Sequence, residues 1–295
     1  MPQTITYDDV SRREDLLDLI TNVDATEDTL MSDFGTSTAN NTLHEYLGDT
    51  LKSVGDNAQA EGATPTYADR TDPTRMNNKT QIVRVDFQVS GTEDAVNKAG
   101  MDTRFAYEMR KAMVEWRNDA EFALMRGSSA SGASGTARRL DGVKQCISTV
   151  ATAQSGVSLN ETQLNDYIEN TWNVSSGVVD TIYVPSRLKR RISGFTGGAT
   201  KQVQVEDKKL INTVDVYTSD FGTHNVKLHR YTYQSGDNNY DIVGLQTKYW
   251  KVAHLRRPKF EELAKTADAK NGIILGELTL ESLAQKANFK ATGHL

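Results

Sequence analysis

Two weak patterns in the sequence bring together side chains that could act in catalysis. Ser186 and Lys189 have the spacing of the SxxK motif of penicillin-recognising enzymes, in which the serine is the nucleophile. The companion KTG motif is interrupted, because the matching stretch reads Lys265-Thr266-Ala267. Cys146, the only cysteine, could be a nucleophile with a distant histidine as its base. A serine or cysteine hydrolase is therefore one function to weigh.

Other chemical motifs are incomplete or missing. His44-Glu45 begins like a zinc-protease helix, but residue 48 is Gly and the second histidine ligand is lacking. The sequence contains neither GxxxxGK[ST] nor GxGxxG, so it shows no phosphate-binding loop. A single cysteine permits neither an internal disulfide nor a cysteine-based zinc site. We therefore expect no enzyme, no metal and no cofactor.

The amino-acid composition narrows the possible classes of protein further. The 295 residues are 37% hydrophobic and 25% charged, which is typical of a globular protein. The net charge of −5 argues against a general nucleic-acid binder. No run approaches the roughly 18 apolar residues of a membrane helix, so we expect no membrane association. Residues 1–50 hold eleven acids against two arginines, a net charge of −9, which leaves +4 for the remainder.

Basic residues cluster at two places. Arg187, Lys189, Arg190 and Arg191 lie within one short predicted helix, and Arg256-Arg257 precedes Pro258. Either cluster could bind nucleic acid or the carboxylates of a neighbouring chain, or could simply be solvated surface. No interleaved aromatic residues support base stacking.

The strongest structural signal is a long amphipathic helix over 103–126. Its apolar residues recur every three or four positions, and Gly127 ends it. The segment before it, 53–80, has almost no core-forming residues, whereas Val83, Val85, Phe87 and Val89 alternate with polar residues as in a strand. We expect a second strand near 42–47, and thus a long hairpin with a polar tip.

Shorter elements complete an α+β pattern. A helix follows the Ser11 capping box, another ends by Gly35, and a third is capped by Asn160. Strands are predicted around 181–184, 212–218, 225–233, 240–245, 249–255 and 272–280.

This order of elements resembles the tailed-bacteriophage major capsid protein of the Hong Kong 97-type fold, and in particular a podophage-associated family long catalogued as a domain of unknown function. The resembling stretches span nearly the whole chain and are Glu14–Asp24, Asn41–Leu47, Asn78–Ile82, Val89–Thr92, Ser219–Gly222, Leu263–Thr266 and Glu277–Glu281. The resemblance divides the chain into an N-terminal arm (1–50), an extended-loop (E-loop) hairpin (51–90), a spine helix with the first part of the P-domain (91–150), an A-domain (151–250) and the C-terminal part of the P-domain (251–295).

The resemblance implies a structural protein that assembles as hexamers and pentamers into an icosahedral shell around double-stranded DNA, which it encloses without sequence-specific binding. The implied partners are other copies of the chain, a portal protein and separate scaffolding and decoration proteins. The protein would be made in the host cytoplasm and end in the virion capsid. An encapsulin-like nanocompartment shell of the same fold is the alternative.

Candidate contacts between subunits follow from charge and from the expected projections. They are Asp15, Asp18, Asp24, Glu61, Asp69, Arg70, Arg75, Arg84, Arg187, Arg190, Arg256 and Arg257. Some relatives join subunits by a Lys–Asn isopeptide bond from the E-loop. Residues 53–78 contain no lysine, and Lys79 lies at the base of the hairpin, so we expect no such crosslink.

Overall fold

The computed structural model describes residues 29–49, 51–52, 54–67, 69–70, 72–96, 103–175, 177–195, 215–234, 239–265 and 267–295. The helix predicted after Ser11 and the candidate contacts Asp15, Asp18 and Asp24 lie outside these ranges. Helices and strands are mixed along the chain, as the α+β prediction requires. Within the described ranges, no helix is long and apolar enough to cross a membrane.

A four-stranded sheet forms one half of the fold, in the order β1-β11-β12-β4. Its strands are β1 (Gly35–Thr38), β4 (Gln81–Ser90), β11 (Trp250–Leu263) and β12 (Ala269–Ser282). β12 pairs antiparallel with both β11 and β4 and is therefore internal. The predicted alternation is confirmed in β4, where buried Val83 and Val89 alternate with exposed Arg84 and Gln88.

The predicted long helix is also confirmed as α3 (Arg104–Arg126). Thr103 caps its first turn through Oγ1, which accepts a hydrogen bond from the Ala106 amide at 3.3 Å. Trp116 is 2% exposed in the core against the four-stranded sheet, and its indole N–H donates to the Val83 carbonyl at 2.9 Å. Short helices flank α3: α1 (Thr29–Asp33) and α2 (Gly91–Ala95) before it and α4 (Val143–Cys146) after it.

A second, seven-stranded sheet follows in the order β5-β13-β10-β6-β8-β7, with β9 paired to β10. Its strands are β5 (Ala151–Val157), β6 (Thr181–Val184), β7 (Val216–Ser219), β8 (Gly222–Leu228), β9 (Tyr233–Gln234), β10 (Asn239–Leu245) and β13 (Phe289–His294). α5 (Glu161–Ser175) and α6 (Ser186–Ser193) pack on it through Leu164, Ile168, Leu188 and Ile192. Three single-turn 3₁₀ helices complete the described elements: Arg230–Thr232, Thr247–Tyr249 and Gln285–Ala287.

The E-loop hairpin differs from the prediction in its pairing. β2 (Leu43–Gly48) pairs with β3 (Thr74–Lys79), a strand inside the stretch taken as the polar tip. β4, predicted as the returning strand, pairs with β12 instead. The cause is burial, because the apolar face of β4 is needed against α3, whereas β2 and β3 stay largely exposed.

Candidate assembly surface and its anchoring

We call residues 49–73, between β2 and β3, the tip segment. Leu51, Val54 and Tyr67 are each more than nine-tenths exposed there, at 96%, 103% and 93%. Residues 54–67 form only a turn at Glu61-Gly62, and among the described residues their hydrogen bonds stay within the segment, such as Ala63 N–H to the Ala60 carbonyl. Burying such side chains gains about 1.5–3 kcal/mol each, so the tip segment leaves apolar surface without a partner in its own described chain.

The base of the hairpin, in contrast, is anchored by a buried carboxylate. Glu277 on β12 has only 4% of its side chain exposed. It accepts a hydrogen bond from Thr80 Oγ1 at 2.6 Å and pairs with the guanidinium groups of Arg138 and Arg256. Arg138 Nε also donates to the Thr80 carbonyl at 2.6 Å. Glu277 therefore joins the β3–β4 corner, the loop that carries Arg138, and β11.

A second carboxylate on β12, four residues further on, holds the other strand of the hairpin. Glu281 accepts hydrogen bonds from Ser37 Oγ and lies 2.7 Å from Nε2 of His44 on β2. Tyr46, two residues along β2, accepts a hydrogen bond from the Ser282 amide at 3.2 Å. Burial raises the pKa of Tyr46 to about 12, so this hydroxyl stays neutral.

Asn78 completes the anchoring from β3. Its amide group donates to the carbonyls of Asp141 and Leu280, both at 2.9 Å, and its Oδ1 accepts from the Asp141 amide at 2.9 Å. The side chain is buried, so each of these bonds would be costly to lose. A firmly held base thus carries a tip segment that lacks packing of its own.

An open groove of 650 Å³ lies beside this base. Leu43 and Ile82 contribute apolar surface that is 39% and 49% exposed, and Lys79 and Arg138 contribute positive charge. Lys79 Nζ donates to Ser131 Oγ at 2.8 Å across the groove. The groove therefore has the size and the mixed character to receive a segment of another chain.

The start of the described chain is tied to the spine helix by a third buried carboxylate. Glu121 is fully buried on α3 and accepts hydrogen bonds from the Leu30 and Met31 amides at 2.5 and 3.2 Å. The His229 ring lies 3.1 Å from it. Glu121 therefore satisfies amides at the start of α1, which have no partner inside that short helix.

The predicted contact residues occupy separate surfaces. Glu61, Asp69 and Arg70 are exposed in the tip segment. Arg75 pairs with Glu45 at 3.5 Å on the hairpin, and Arg84 pairs with Asp86 at 3.0 Å on β4.

The remaining predicted contacts lie on α6 and β11. Arg187 and Arg190 are exposed on α6. Arg257 is exposed on β11, whereas Arg256 is engaged with Glu277 of its own chain.

The anchoring residues Glu277, Glu281, Asn78 and Arg138 were missed by the sequence reasoning. One signal could have found two of them. Glu277 and Glu281 bracket Leu278-Thr279-Leu280 in an apolar strand, and a carboxylate in such a strand must have a partner.

The residues considered for catalysis, Ser186, Lys189 and Cys146, are not arranged as in the active site of a hydrolase. Ser186 is exposed, whereas Lys189 is buried and its ammonium donates to the Val226 carbonyl at 2.5 Å and to Asp215 Oδ1 at 3.1 Å. These two contacts engage the Lys189 ammonium with β8 and with the residue that precedes β7. Burial, reinforced by Asp141, raises the pKa of the Cys146 thiol to about 12, which opposes formation of a nucleophilic thiolate. Among the described residues, no group of three histidine, cysteine or acidic side chains could hold a metal ion.

Solved structures with the same fold define the class of protein. The fold is similar to the capsid of Myoviridae Phage XM1, with a TM-score of 0.61 and 12% identity over 95% of this chain and 96% of that chain. It is similar to the capsid of an empty GTA particle, with a TM-score of 0.65 and 10% identity over 96% of each chain. It is also similar to the SrpI encapsulin of Synechococcus elongatus PCC 7942, with a TM-score of 0.59 and 8% identity over 92% of this chain and 90% of that chain. The fold is thus that of Hong Kong 97-type shell subunits.

The family follows from the sequence itself. Residues 2–294 match the SU10 major capsid protein family. The chain therefore belongs to this family of bacteriophage capsid proteins, which confirms the predicted resemblance and places the protein in the virion capsid. No curated protein matches the sequence.

The anchoring by Glu277 predicts a measurable loss of stability. In Glu277→Gln, the charge-assisted hydrogen bonds from Arg138 and Arg256 are lost, and we expect the free energy of unfolding to fall by about 1–3 kcal/mol. Glu45→Gln is the matched control, because its pair with Arg75 is exposed and should change stability by less than about 0.5 kcal/mol. Urea unfolding of the unassembled protein measures both. Equal effects of the two changes would contradict the anchoring role.

The raised pKa of Cys146 predicts slow alkylation. At pH 8 the folded protein should react with iodoacetamide about a thousandfold more slowly than the urea-unfolded chain, because three pKa units lower the thiolate fraction by that factor. The rate should rise about tenfold per pH unit up to pH 11. If the alkylation rate instead levelled off near pH 8, Cys146 would already be a thiolate at that pH. That result would support the cysteine hydrolase hypothesis.

Proposed function

We propose that this chain assembles as hexamers and pentamers into the icosahedral shell of a bacteriophage and encloses its double-stranded DNA. The tip segment is the observation that carries this proposal. Its apolar side chains are exposed, and they extend from a base that three polar side chains, Glu277, Glu281 and Asn78, hold in place. A projection of this kind gains stability only when another subunit covers it.

The subunit contacts then include charged residues of the exposed surfaces. Glu61, Asp69 and Arg70 of the tip segment would contact a neighbour directly. Arg75, Arg84, Arg187, Arg190, Arg256 and Arg257 would contribute from the hairpin, β4, α6 and β11. Asp15, Asp18 and Asp24 would supply carboxylates from the N-terminal arm. Opposite charges of this kind steer association and set its register more than they add affinity.

The other partners follow from the same function. DNA is enclosed without sequence-specific contacts, which suits a chain with a net charge of −5. A portal protein would interrupt the shell, and separate scaffolding and decoration proteins would assist assembly in the host cytoplasm. We also propose the division of the chain that the resemblance implies. The arm would end at residue 50, the E-loop hairpin at 90, the first part of the P-domain at 150 and the A-domain at 250.

An encapsulin-like nanocompartment is the second candidate function, supported by the similarity to the SrpI encapsulin. The membership of residues 2–294 in a phage capsid family favours the phage. Particles purified from the native source separate the two functions, because phage heads contain DNA and nanocompartments contain proteins. A hydrolase is disfavoured by the contacts of Lys189 and by the pKa of Cys146.

The assembly role of the tip segment can be tested by replacing residues 54–67 with a short Gly-Ser linker. The purified wild-type protein should form capsomers and shells in negative-stain images, whereas the variant should fold but form none. The variant should keep the wild-type unfolding midpoint, because residues 54–67 make no hydrogen bonds to the described residues of the body. Normal shells from the variant, or monomers alone from the wild type, would contradict the proposal.

Mature particles should contain no covalently linked subunits. Residues 53–78 contain no lysine that could form an isopeptide crosslink, and Lys79 is directed to Ser131 in its own chain. Denaturing gels of mature particles should therefore show a single band for this chain. A ladder of covalent oligomers would show that the expectation is wrong.

A further inference from the structure

Two arginines and three aromatic residues form a band of successive contacts between the end of α3 and α6. The Arg187 guanidinium lies over the Tyr240 ring at 5.2 Å, and Tyr240 stacks on Tyr233 at 4.9 Å. Arg126 donates to the Tyr233 carbonyl at 3.4 Å and lies over the Phe122 ring at 5.5 Å. We call these five residues the arginine–aromatic band.

The positive charge of this band is not neutralised by the described part of the chain. Within the described ranges, neither Arg126 nor Arg187 has a carboxylate oxygen within 4.0 Å. Arg104, Arg138 and Arg256, in contrast, are each paired with a glutamate. An anionic partner from outside would therefore find two guanidinium groups available.

The stacking favours a protein over a nucleic acid as that partner. Tyr240 is stacked on Tyr233 and lies under Arg187, so its ring is already engaged and offers little surface on which a base could stack. A guanidinium held over a ring keeps its N–H edge free to bind a carboxylate with two hydrogen bonds. Tyr233 and Phe122 are 37% and 46% exposed, and this mixture of arginine and aromatic surface is typical of the centre of protein interfaces.

The chain itself carries carboxylates that complement the band. Asp56, Glu61, Asp69 and Asp72 of the tip segment are all exposed. Among the described residues, none of the four has a lysine or arginine nitrogen within 4.0 Å. Within the described ranges, arginines without a carboxylate partner and carboxylates without a basic partner thus lie on different parts of one chain, and a second copy can satisfy both.

We propose that the arginine–aromatic band is a docking surface for a second copy of this chain, which places carboxylates against Arg126 and Arg187. The inference rests on the proposed shell function and names one of the surfaces through which the subunits associate. The Tyr233 and Tyr240 rings are already stacked in the single chain, so the band is organised before the second copy binds. Less conformational entropy is therefore lost when Arg126 and Arg187 bind carboxylates.

Photocrosslinking in assembled shells tests this directly. The photoreactive amino acid p-benzoylphenylalanine replaces Tyr233, and shells are assembled from equal parts of ¹⁴N- and ¹⁵N-labelled protein. Mass spectrometry should find crosslinked peptide pairs with one light and one heavy member. The same probe at Tyr249, whose ring lies under Lys248 at 4.7 Å, is the matched control and should give few such pairs.

Other crosslinking results would overturn the inference. The inference would be wrong if the crosslinked peptides always carried the same isotope label, because the crosslinks would then lie within one chain. It would also be wrong if the probe at Tyr233 crosslinked to nucleic acid or formed no crosslinks. Failure of the wild-type protein to form any shell would instead contradict the proposed function.

A charge variant provides an independent measurement if the probe itself disturbs assembly. Arg187 is exposed on α6, so Arg187→Glu should leave the circular dichroism spectrum unchanged, and the loss of its contact with the Tyr240 ring should lower the unfolding midpoint only slightly. Its yield of shells should fall at least about tenfold, because a repulsive contact is repeated in every subunit. Arg187→Lys should retain part of the yield, and Lys248→Glu should retain all of it. Wild-type yield from Arg187→Glu would overturn the inference.

Discussion

Buried carboxylates on one strand determine how this fold presents its projecting hairpin. Glu277 and Glu281 lie on β12, the internal strand that pairs with both β11 and β4. A carboxylate inside a sheet is tolerated only when its charge and hydrogen-bonding capacity are satisfied. Their partners come from the start of the chain, the hairpin and the loop after α3, so satisfying the two carboxylates brings these distant segments together.

The hairpin is consequently rigid where it joins the body and unsupported at its tip. The polar contacts of Asn78, Thr80 and His44 fix the base, whereas Leu51, Val54 and Tyr67 remain in solvent. This division suits a subunit of a shell. In the proposed assembly, the body would set the direction of the projection, and a neighbouring subunit would supply apolar surface for the tip segment. Assembly would then stabilise residues that are exposed in the single chain.

Local patterns in the sequence were sufficient to predict individual helices and strands. The apolar spacing of α3, the alternation of β4 and the Asn160 cap of α5 all appear in the structure, the last with Asn160 Oδ1 accepting from the Gln163 amide at 2.8 Å. Pairing between distant strands could not be read in this way. β3 was missed because Met76 is its only large apolar residue, and β5 and β13 were missed because their only large apolar residues are Val157 and Phe289.

The candidate contact surface was predicted only in part. The polar composition of residues 53–80 indicated a projection, but the arginine–aromatic band combines α3, α6, β9 and β10, which only the fold brings together. The carboxylates of β12 were visible as charges, yet their partners other than Arg256 lie more than a hundred residues away in the sequence. Function in this chain therefore depends on long-range contacts more than on any local motif.

The central claim is that the tip segment packs on another subunit. Hydrogen–deuterium exchange of the amides of residues 54–67, compared between the unassembled protein and assembled shells, tests it most directly. We expect fast exchange in the unassembled protein, because the hydrogen bonds of these amides to described residues stay within the segment, and strong protection in shells. Equal and fast exchange in both states would contradict the claim, as would protection already present in the unassembled chain.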